Sequence, residues 1–160
     1  MPDPNRGLEI YMYSDASWLA ENSISGGMVY FHGCLIAWWT RRQHSISLSS
    51  AEAEYYGASV AGREGVYYRD LSDDVGESQK GPTPLYLDSK ATIDLTKDPV
   101  AFKKTKHILR HAYWLRDAVQ REVFLPLFVD TTKQLADILT KAMRPQPHRF
   151  LLDQILRVLP

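Results

Sequence analysis

Residues 47–59, SLSSAEAEYYGAS, mark the point at which the sequence changes from strand-like to helix-like patterns. Beyond Ser49, apolar and aromatic residues recur at helical spacing as far as Val75, where a glycine supplies a stop signal. Ser49 and Glu52 have the spacing of a capping box, which satisfies free N–H groups at a helix start. The stretch therefore predicts a long helix with two glutamates, Glu52 and Glu54, in its first turns.

Three strand-like runs precede this helix. They are rich in aromatic and aliphatic residues, and short links join them. Because consecutive strands with short links pair side by side in opposite directions, they predict an antiparallel meander. The runs are Gly7–Ser14, Gly26–Phe31 and Leu35–Thr40.

Strand-like and helix-like runs alternate after the long helix. Apolar runs predict strands at 85–87 and 123–129, and Pro126 favours an edge position or a bulge for the second. The element order β-β-β-α-β-α-α-β-α predicts an α/β fold with helices on both faces of a five-stranded mixed sheet, in which two parallel additions follow three antiparallel strands. The later helices begin near Ser89, Thr105, Thr131 and Phe150.

A proline-rich break divides the chain near its end. The capping-box spacing of residues 131–134 predicts a helix that runs to about Met143, where residues 144–147 break it. We therefore expect one domain over residues 1–143. Residues 144–160 are expected to form a C-terminal extension with a short amphipathic helix.

Composition excludes several classes of protein. With 160 residues and 44% hydrophobic content, the chain suits one compact domain. Cys34 stands alone, which excludes an intrachain disulfide and a cysteine-based zinc site. No stretch approaches the roughly 18 consecutive apolar residues of a membrane span. Because 19 basic residues balance 19 acidic ones, bulk charge favours no partner. We expect a soluble protein of a reducing compartment with no membrane partner.

Two aspartates follow predicted strands. Asp15 ends the first strand and Asp88 ends the fourth, which is where an open α/β sheet places its functional groups. If these strands are parallel neighbours about 5 Å apart, both carboxylates come within reach of one divalent cation, which would offset their repulsion. A second interpretation stays open, because aspartate is also a common cap at strand ends and turns.

The two glutamates of the long helix cannot both face one site. Residues two positions apart on an α-helix point about 200° apart. The capping spacing assigns Glu52 to the helix start, so Glu54 points elsewhere, ahead of the small Gly57 and Ala58 that let a helix pack closely on a sheet. Glu54 is then either a metal ligand or a solvated carboxylate favoured by the helix N-terminus.

Five stretches of the sequence carry a family pattern: YSDAS (13–17), LSSAEAEYYG (48–57), LYLDSKATIDL (85–95), TKHI (105–108) and QLADILTK (134–141). In this order they are similar to the ribonuclease H domain of copia-type LTR retrotransposon polyproteins. The resemblance implies a ribonuclease H-like fold over residues 1–143 and a quartet of catalytic, metal-binding carboxylates. Residue by residue, the quartet is Asp15, Glu54, Asp88 and Asp137.

The resemblance also implies a reaction, which is metal-dependent endonucleolytic hydrolysis of the RNA strand of RNA–DNA hybrids during reverse transcription. Carboxylates without histidine or thiolate suit Mg²⁺ or Mn²⁺, and two such ions roughly 4 Å apart can activate a water and stabilise the leaving oxygen. The implied partners are a hybrid and an adjoining or separate reverse transcriptase domain, in the cytoplasm within virus-like particles or in the nucleus. The alternative is a catalytically silent module that binds nucleic acid or acts as a scaffold.

Local charge predicts a nucleic-acid surface. Between residues 101 and 121, six lysines and arginines stand against one acidic residue. The alternative is a solvated helix face. The candidate nucleic-acid-binding residues are Arg41, Arg42, Lys103, Lys104, Lys106, His107, Arg110 and Trp114.

His107 is a further catalytic candidate. Cellular and retroviral ribonucleases H carry a histidine-containing loop before the last catalytic aspartate, whereas residues 129–133 carry no histidine. His107 and His111 also have the spacing of a zinc-binding pair on a helix, but the sequence offers no evident third ligand. Two interpretations stay open: either His107 substitutes for the missing histidine at the carboxylate site, or product release proceeds without such a residue. A zinc site is the less favoured interpretation of the pair.

Overall fold

The computed structural model of the chain describes residues 10–97 and 109–156. The strands in these ranges are β1 (Ile10–Ser17), β2 (Ile24–Phe31), β3 (Cys34–Arg42), β4 (Thr83–Leu87) and β5 (Phe124–Phe128). The helices are α1 (Ser50–Asp74), α2 (Lys90–Lys97), α3 (Leu109–Gln120), α4 (Asp137–Thr140) and α5 (Pro145–Ile155).

The five strands form one mixed sheet in the order β3-β2-β1-β4-β5. β1, β2 and β3 are antiparallel neighbours, whereas β4 is parallel to β1 and β5 is parallel to β4. The predicted meander with two parallel additions is confirmed. Among the described residues, β5 is an edge strand of the sheet, which is one of the two positions that Pro126 predicted.

Helices cover both faces of the sheet, as predicted. Side chains alternate along each strand, so both faces are apolar and each forms a core with the helices packed on it. On one face, Met12 and Leu85 pack with Tyr55 of α1 and Leu115 of α3. The second core faces the opposite way and contains Tyr11, Met28, Tyr30 and Ile155 of α5, with Leu139 of α4 packed against it.

α1 lies unusually close to the sheet at Gly57. A Cβ atom at this position would lie 3.3 Å from the Ser25 hydroxyl oxygen and 3.4 Å from the Asp15 carbonyl oxygen. A larger side chain would push the helix away from β1 and β2. The expectation that a small residue lets the helix approach is confirmed, and this approach brings the first turns of α1 beside Asp15.

The predicted helix from Thr131 to about Met143 is wrong. Residues Thr131–Lys133 form a single 3-10 turn, which ends at Gln134 in extended backbone, and the α-helix itself covers only Asp137–Thr140. The cap is Asp130 rather than Thr131, because the Asp130 carboxylate accepts hydrogen bonds from the Thr132 N–H at 2.9 Å and from its hydroxyl at 2.6 Å.

The predicted break at residues 144–147 is also wrong, because α5 begins there. A proline in the first turn of a helix removes an N–H group that would have no partner in the helix, so Pro145 starts α5 instead of stopping a helix. Leu151 and Ile155 are buried by packing of α5 onto the described part of the domain. The division of the chain at residue 143 stays a prediction.

The strand ends differ slightly from expectation. β1 continues past Asp15 to Ser17, because Asp15, Ala16 and Ser17 still pair with β2.

Among the helices in the described ranges, none is long and apolar enough to cross a membrane.

Candidate active site

Three aspartates meet at one end of the sheet. Asp15, Asp88 and Asp137 each offer a carboxylate oxygen, and these oxygens lie within 4.8 Å of one another. Asp15 is 0% exposed and Asp137 is 4% exposed, whereas Asp88 is half-buried. Residues far apart in the sequence therefore form one concentrated negative charge.

The register of β1 and β4 brings the first two of these aspartates together. The last paired residues of the two parallel strands are Tyr13 and Tyr86, whose rings stack with centroids 4.9 Å apart. Asp15 and Asp88 each lie two residues further on. Because side chains alternate along a strand, both carboxylates project on the same side as the stacked tyrosines.

Asp137 reaches the site from α4, which packs on that same face. The Thr140 hydroxyl of α4 donates a hydrogen bond to the Asp15 carboxylate, and the Thr131 hydroxyl donates one to Asp88 at 3.2 Å. Residues 131–141, which we call the 131–141 segment, thus contact two of the aspartates and supply the third.

Glu54 faces the aspartates from α1. Burial, with the negative charges of Asp15 and Asp88, raises the pKa of Glu54 to about 9, against the opposing effects of Lys141 and of the Ala16 backbone N–H. These influences show that Glu54 points to the same end of the sheet. Its carboxylate is not among the three that lie within 4.8 Å of one another.

Glu52 points away and closes the start of α1. The Ser49 hydroxyl accepts a hydrogen bond from the Glu52 N–H at 3.2 Å, and the Glu52 carboxylate accepts one from the Leu48 N–H at 2.6 Å. The predicted capping role is confirmed, although the glutamate bonds the N–H one residue before the one expected. The two glutamates are separated by direction, as the helical geometry required.

We expect Glu52→Ala to lower the free energy of unfolding by about 1 kcal/mol and to spare activity, because it removes only a cap contact. Urea unfolding measures the loss. Ser49→Ala should cost a similar amount, and the double variant should cost less than the two together because both belong to one motif. Loss of activity in a Glu52→Ala chain of unchanged stability would contradict this assignment.

Lys141 is a component of the site that the sequence reasoning missed. Its ammonium lies 2.6 Å from an Asp137 carboxylate oxygen and 3.3 Å from an Asp15 carboxylate oxygen, with 37% of the side chain exposed. Burial alone would lower the pKa of Lys141, but the hydrogen bond to Asp137 and the charge of Asp15 outweigh it and raise the pKa. The spacing offered a signal, because residues four apart on a helix are neighbours.

Asp88 and Asp137 both have raised pKa values in spite of the nearby Lys141 ammonium. Burial and the charge of Asp15 raise the pKa of Asp88. Burial raises the pKa of Asp137 to about 6, although the hydrogen bond from Lys141 acts in the opposite direction. Three carboxylates beside one ammonium leave this cluster with excess negative charge. A set of oxygen donors with excess negative charge fits a hard divalent cation such as Mg²⁺ or Mn²⁺.

Gly26 controls how closely α4 approaches the sheet. A Cβ atom there would lie 2.8 Å from both Leu139 Cβ and Thr140 Cγ2, which is too close for either to stay in place. We expect Gly26→Ala to destabilise the chain by about 1–3 kcal/mol and to weaken divalent-ion binding by moving α4 away from Asp15. Thermal unfolding and calorimetric titration with Mn²⁺ measure the two effects.

Gly81→Ala is the matched control for Gly26→Ala, because a Cβ atom at Gly81 would meet nothing within 4 Å. It should bind Mn²⁺ as the parent chain does. Equal ion affinities for the two alanine variants would show that the position of α4 does not control the site.

The predicted nucleic-acid-binding residues have varied surroundings. Arg41 forms an ion pair with Glu64 at 2.6 Å, whereas Arg42 and Arg110 are exposed. Trp114 is half-buried and packs on α1, where a Cβ on Gly62 would lie 2.8 Å from its ring. Their binding roles stay predictions. Lys103, Lys104, Lys106 and His107 lie outside the described residues.

His111, the other half of the suggested zinc pair, lies on α3 and faces α1. Its Nδ1 is 3.3 Å from the Ser59 hydroxyl oxygen, and its ring lies 4.4 Å from the ring of Tyr56, centroid to centroid. These contacts give His111 a packing role between the two helices.

The fold is that of ribonuclease H, and several solved ribonuclease H structures share it. Ribonuclease H1 LC11, isolated from compost, has a TM-score of 0.61 at 14% identity, covering 82% of this chain and 91% of that chain. The N-terminal ribonuclease H domain of a Mycobacterium tuberculosis protein has a TM-score of 0.55 at 15% identity, covering 92% and 98%. A foamy viral protease-reverse transcriptase in complex with an RNA/DNA hybrid has a TM-score of 0.57 at 11% identity, covering 99% and 21%.

Relatives found by sequence show which family within the ribonuclease H fold the chain belongs to. The chain is 33% identical over 135 residues to the retrovirus-related Pol polyprotein from transposon TNT 1-94 of Nicotiana tabacum, a match that covers 82% of this chain. It is 31% identical over 140 residues to the corresponding polyprotein from transposon RE2 of Arabidopsis thaliana, covering 85% of this chain. The chain belongs with the ribonuclease H-fold segment of copia-type transposon Pol polyproteins.

The chain spans about a tenth of the length of these polyproteins, 10% of each. No protein-family model matches it.

Proposed function

We propose that this chain is a metal-dependent endonuclease that hydrolyses the RNA strand of RNA–DNA hybrids. One observation carries the proposal: on a ribonuclease H fold, Asp15, Asp88 and Asp137 place carboxylate oxygens within 4.8 Å of one another. Burial and the charges of Asp15 and Asp88 raise the pKa of Glu54, and we infer that Glu54 is the fourth ligand of the quartet that the sequence resemblance implied. Such a set of oxygen ligands suits two Mg²⁺ or Mn²⁺ ions.

The residues of the chain would hold and orient the ions. Bound divalent ions would activate the attacking water and stabilise the departing 3′ oxygen. Asp15 lies at the centre of the cluster, where the Thr140 hydroxyl and the Lys141 ammonium fix its two oxygens. Thr131 orients Asp88 in the same way. The two threonine contacts fix these ligands before any ion binds, which lowers the cost of assembling the site.

The proteins to which this chain is similar support an RNA–DNA hybrid as the proposed substrate. One solved structure with this fold, LC11 ribonuclease H1, is described as a complex with an RNA/DNA hybrid, as is the foamy viral protease-reverse transcriptase. The sequence relatives are Pol polyproteins of transposons. We therefore infer a hybrid as substrate and an adjoining or separate reverse transcriptase domain as partner. We propose the cytoplasm or the nucleus as the setting.

Incubation of the purified chain with an end-labelled hybrid and Mg²⁺ tests the proposal. We expect cleavage of the RNA strand only, no cleavage of RNA–RNA or DNA–DNA duplexes, and loss of cleavage in EDTA. Asp88→Asn should not cleave. A parent chain that leaves the hybrid intact in both Mg²⁺ and Mn²⁺ would overturn the proposal.

A silent nucleic-acid-binding module is the second candidate. The contacts of Lys141 favour it, because the ammonium satisfies Asp15 and Asp137 without any ion. Under this alternative, the chain binds the hybrid with equal affinity in EDTA and in Mg²⁺ and cleaves nothing. The same assay, with binding measured by fluorescence anisotropy, separates the two functions.

A further inference from the structure

We propose that Gln134 is a positioning residue that sets the spacing of the three aspartates. Its side chain is 0% exposed, and its hydrogen bonds within the described residues go to backbone groups rather than to a carboxylate. The amide nitrogen donates a hydrogen bond to the Ser14 carbonyl oxygen at 2.9 Å. It also lies 3.5 Å from the Tyr86 carbonyl oxygen. The amide oxygen accepts from the Ala136 N–H at 3.3 Å.

Each of these contacts lies one or two residues before a different aspartate in the chain. Ser14 directly precedes Asp15, Ala136 directly precedes Asp137, and Tyr86 lies two residues before Asp88. One buried amide thus connects β1, β4 and the 131–141 segment. A change in any one contact would move a single carboxylate relative to the other two.

The position of Gln134 explains why such a connection is needed. The parallel pairing of β1 and β4 ends at Tyr13 and Tyr86, so no ladder bond between these strands fixes the two aspartates beyond it. At this point the amide nitrogen of Gln134 forms hydrogen bonds with a backbone carbonyl oxygen of each strand. It therefore connects β1 and β4 beyond the end of their ladder.

The chemistry of the contacts requires glutamine. The site needs two donors on one nitrogen and an acceptor beside it, which a carboxamide supplies. A glutamate at this position would keep the side-chain length and the acceptor oxygen. It would replace the donor nitrogen with a second oxygen, which would face two carbonyl oxygens. The Asp137 N–H bonds the backbone oxygen of Gln134 at 3.2 Å, and side-chain substitution leaves that bond in place. Substitutions therefore test the side-chain amide alone.

Gln79 offers a matched control. Its side chain accepts from the Ile10 N–H at 2.8 Å and donates to the Ile10 carbonyl oxygen at 3.3 Å, at the opposite end of β1. Gln79→Leu thus removes the same kind of contact from the same strand, far along it from the aspartates.

The experiment measures Mn²⁺ affinity by calorimetry and thermal unfolding in EDTA for Gln134→Leu, Gln134→Glu and Gln79→Leu. We expect both Gln134 variants to bind Mn²⁺ about 10–100-fold more weakly, as for residues that orient metal ligands. We expect Gln79→Leu to bind like the parent even where it melts earlier. Gln134→Glu keeps the side-chain size and serves if Gln134→Leu does not fold.

A cleavage readout adds a second criterion, which rests on the proposed function. Gln134→Leu should need more Mg²⁺ for half-maximal hybrid cleavage and should approach the parent rate at saturating Mg²⁺, which lost stability alone does not produce. Parent-like Mn²⁺ affinity in the Gln134 variants, or an equal loss in Gln79→Leu, would overturn the inference. A parent that binds Mn²⁺ but does not cleave would overturn the proposed function alone, because the affinity comparison still stands.

Discussion

Glu54→Gln is expected to reduce hybrid cleavage roughly a thousandfold while leaving the chain folded, which corresponds to about 4 kcal/mol of lost transition-state stabilisation. The substitution replaces a carboxyl group, which can give up its proton and bind an ion, with a neutral amide, so it removes one anionic oxygen ligand from the ion-bound site. It keeps the length of the side chain and the acceptor oxygen that faces the Ala16 N–H. The effect should therefore fall on ion binding and rate rather than on packing.

Stability measurements distinguish this effect from unfolding. The pKa of Glu54 is about 9 in the folded metal-free chain, above the ordinary value of 4.5, so at neutral pH the carboxyl group is protonated and an amide is a close replacement. The folded state retains the Glu54 proton that the unfolded state loses. The metal-free parent should therefore lose stability as the pH rises from about 4.5 to about 9, and Glu54→Gln should lose less.

Glu52→Gln is the matched control, because it changes the same residue type two positions away on the same helix. Single-turnover cleavage at saturating Mg²⁺, with circular dichroism as the check on folding, compares the two variants. We expect Glu52→Gln to cleave within a few-fold of the parent. If Glu52→Gln were the inactive variant and Glu54→Gln the active one, the roles of the two glutamates would be exchanged.

The sequence predicted the sheet because hydrophobic periodicity and turn residues are local signals. Strand order and direction followed from the lengths of the connections, and the separation of Glu52 from Glu54 followed from helical geometry alone. The convergence of Asp15, Asp88 and Asp137 followed from strand direction together with the family resemblance. These features need no knowledge of side-chain packing.

The 131–141 segment was predicted poorly because its path depends on tertiary contacts. The spacing of Thr131 and Gln134 resembles a capping box, but Gln134 is used in the core, where its amide bonds the backbone of two strands. Asp130 then caps a 3-10 turn instead. A local pattern cannot show that a polar side chain has long-range partners, so Gln134 and Lys141 were both missed as parts of the site.

Lys141→Met is expected to destabilise the metal-free chain by about 1–3 kcal/mol. Removal of one partner from a buried ion pair costs roughly 3–5 kcal/mol, and solvent screening reduces this because 37% of the Lys141 side chain is exposed. The Asp15 and Asp137 side chains, 0% and 6% exposed, would then lack their nearest cation. Urea unfolding in EDTA measures the difference.

Divalent ions should reverse this loss. An ion that binds only the folded chain stabilises it in proportion to the logarithm of its concentration relative to the dissociation constant. Without Lys141, the aspartates carry more uncompensated charge, so we expect Mn²⁺ to bind Lys141→Met more tightly and to restore its unfolding midpoint. Lys133→Met is the control, because Lys133 lies in the same segment but is exposed.

The comparison of the two lysine variants decides what Lys141 does. If the ammonium and the ions compete for the same oxygens, its removal lowers metal-free stability and raises ion affinity together, since both arise from one set of charges. If Mn²⁺ binds Lys141→Met more weakly than the parent, the ammonium instead holds Asp15 and Asp137 in the geometry that the ions require. An unchanged unfolding midpoint in EDTA would contradict both, because it would mean that two buried carboxylates do not need the cation beside them.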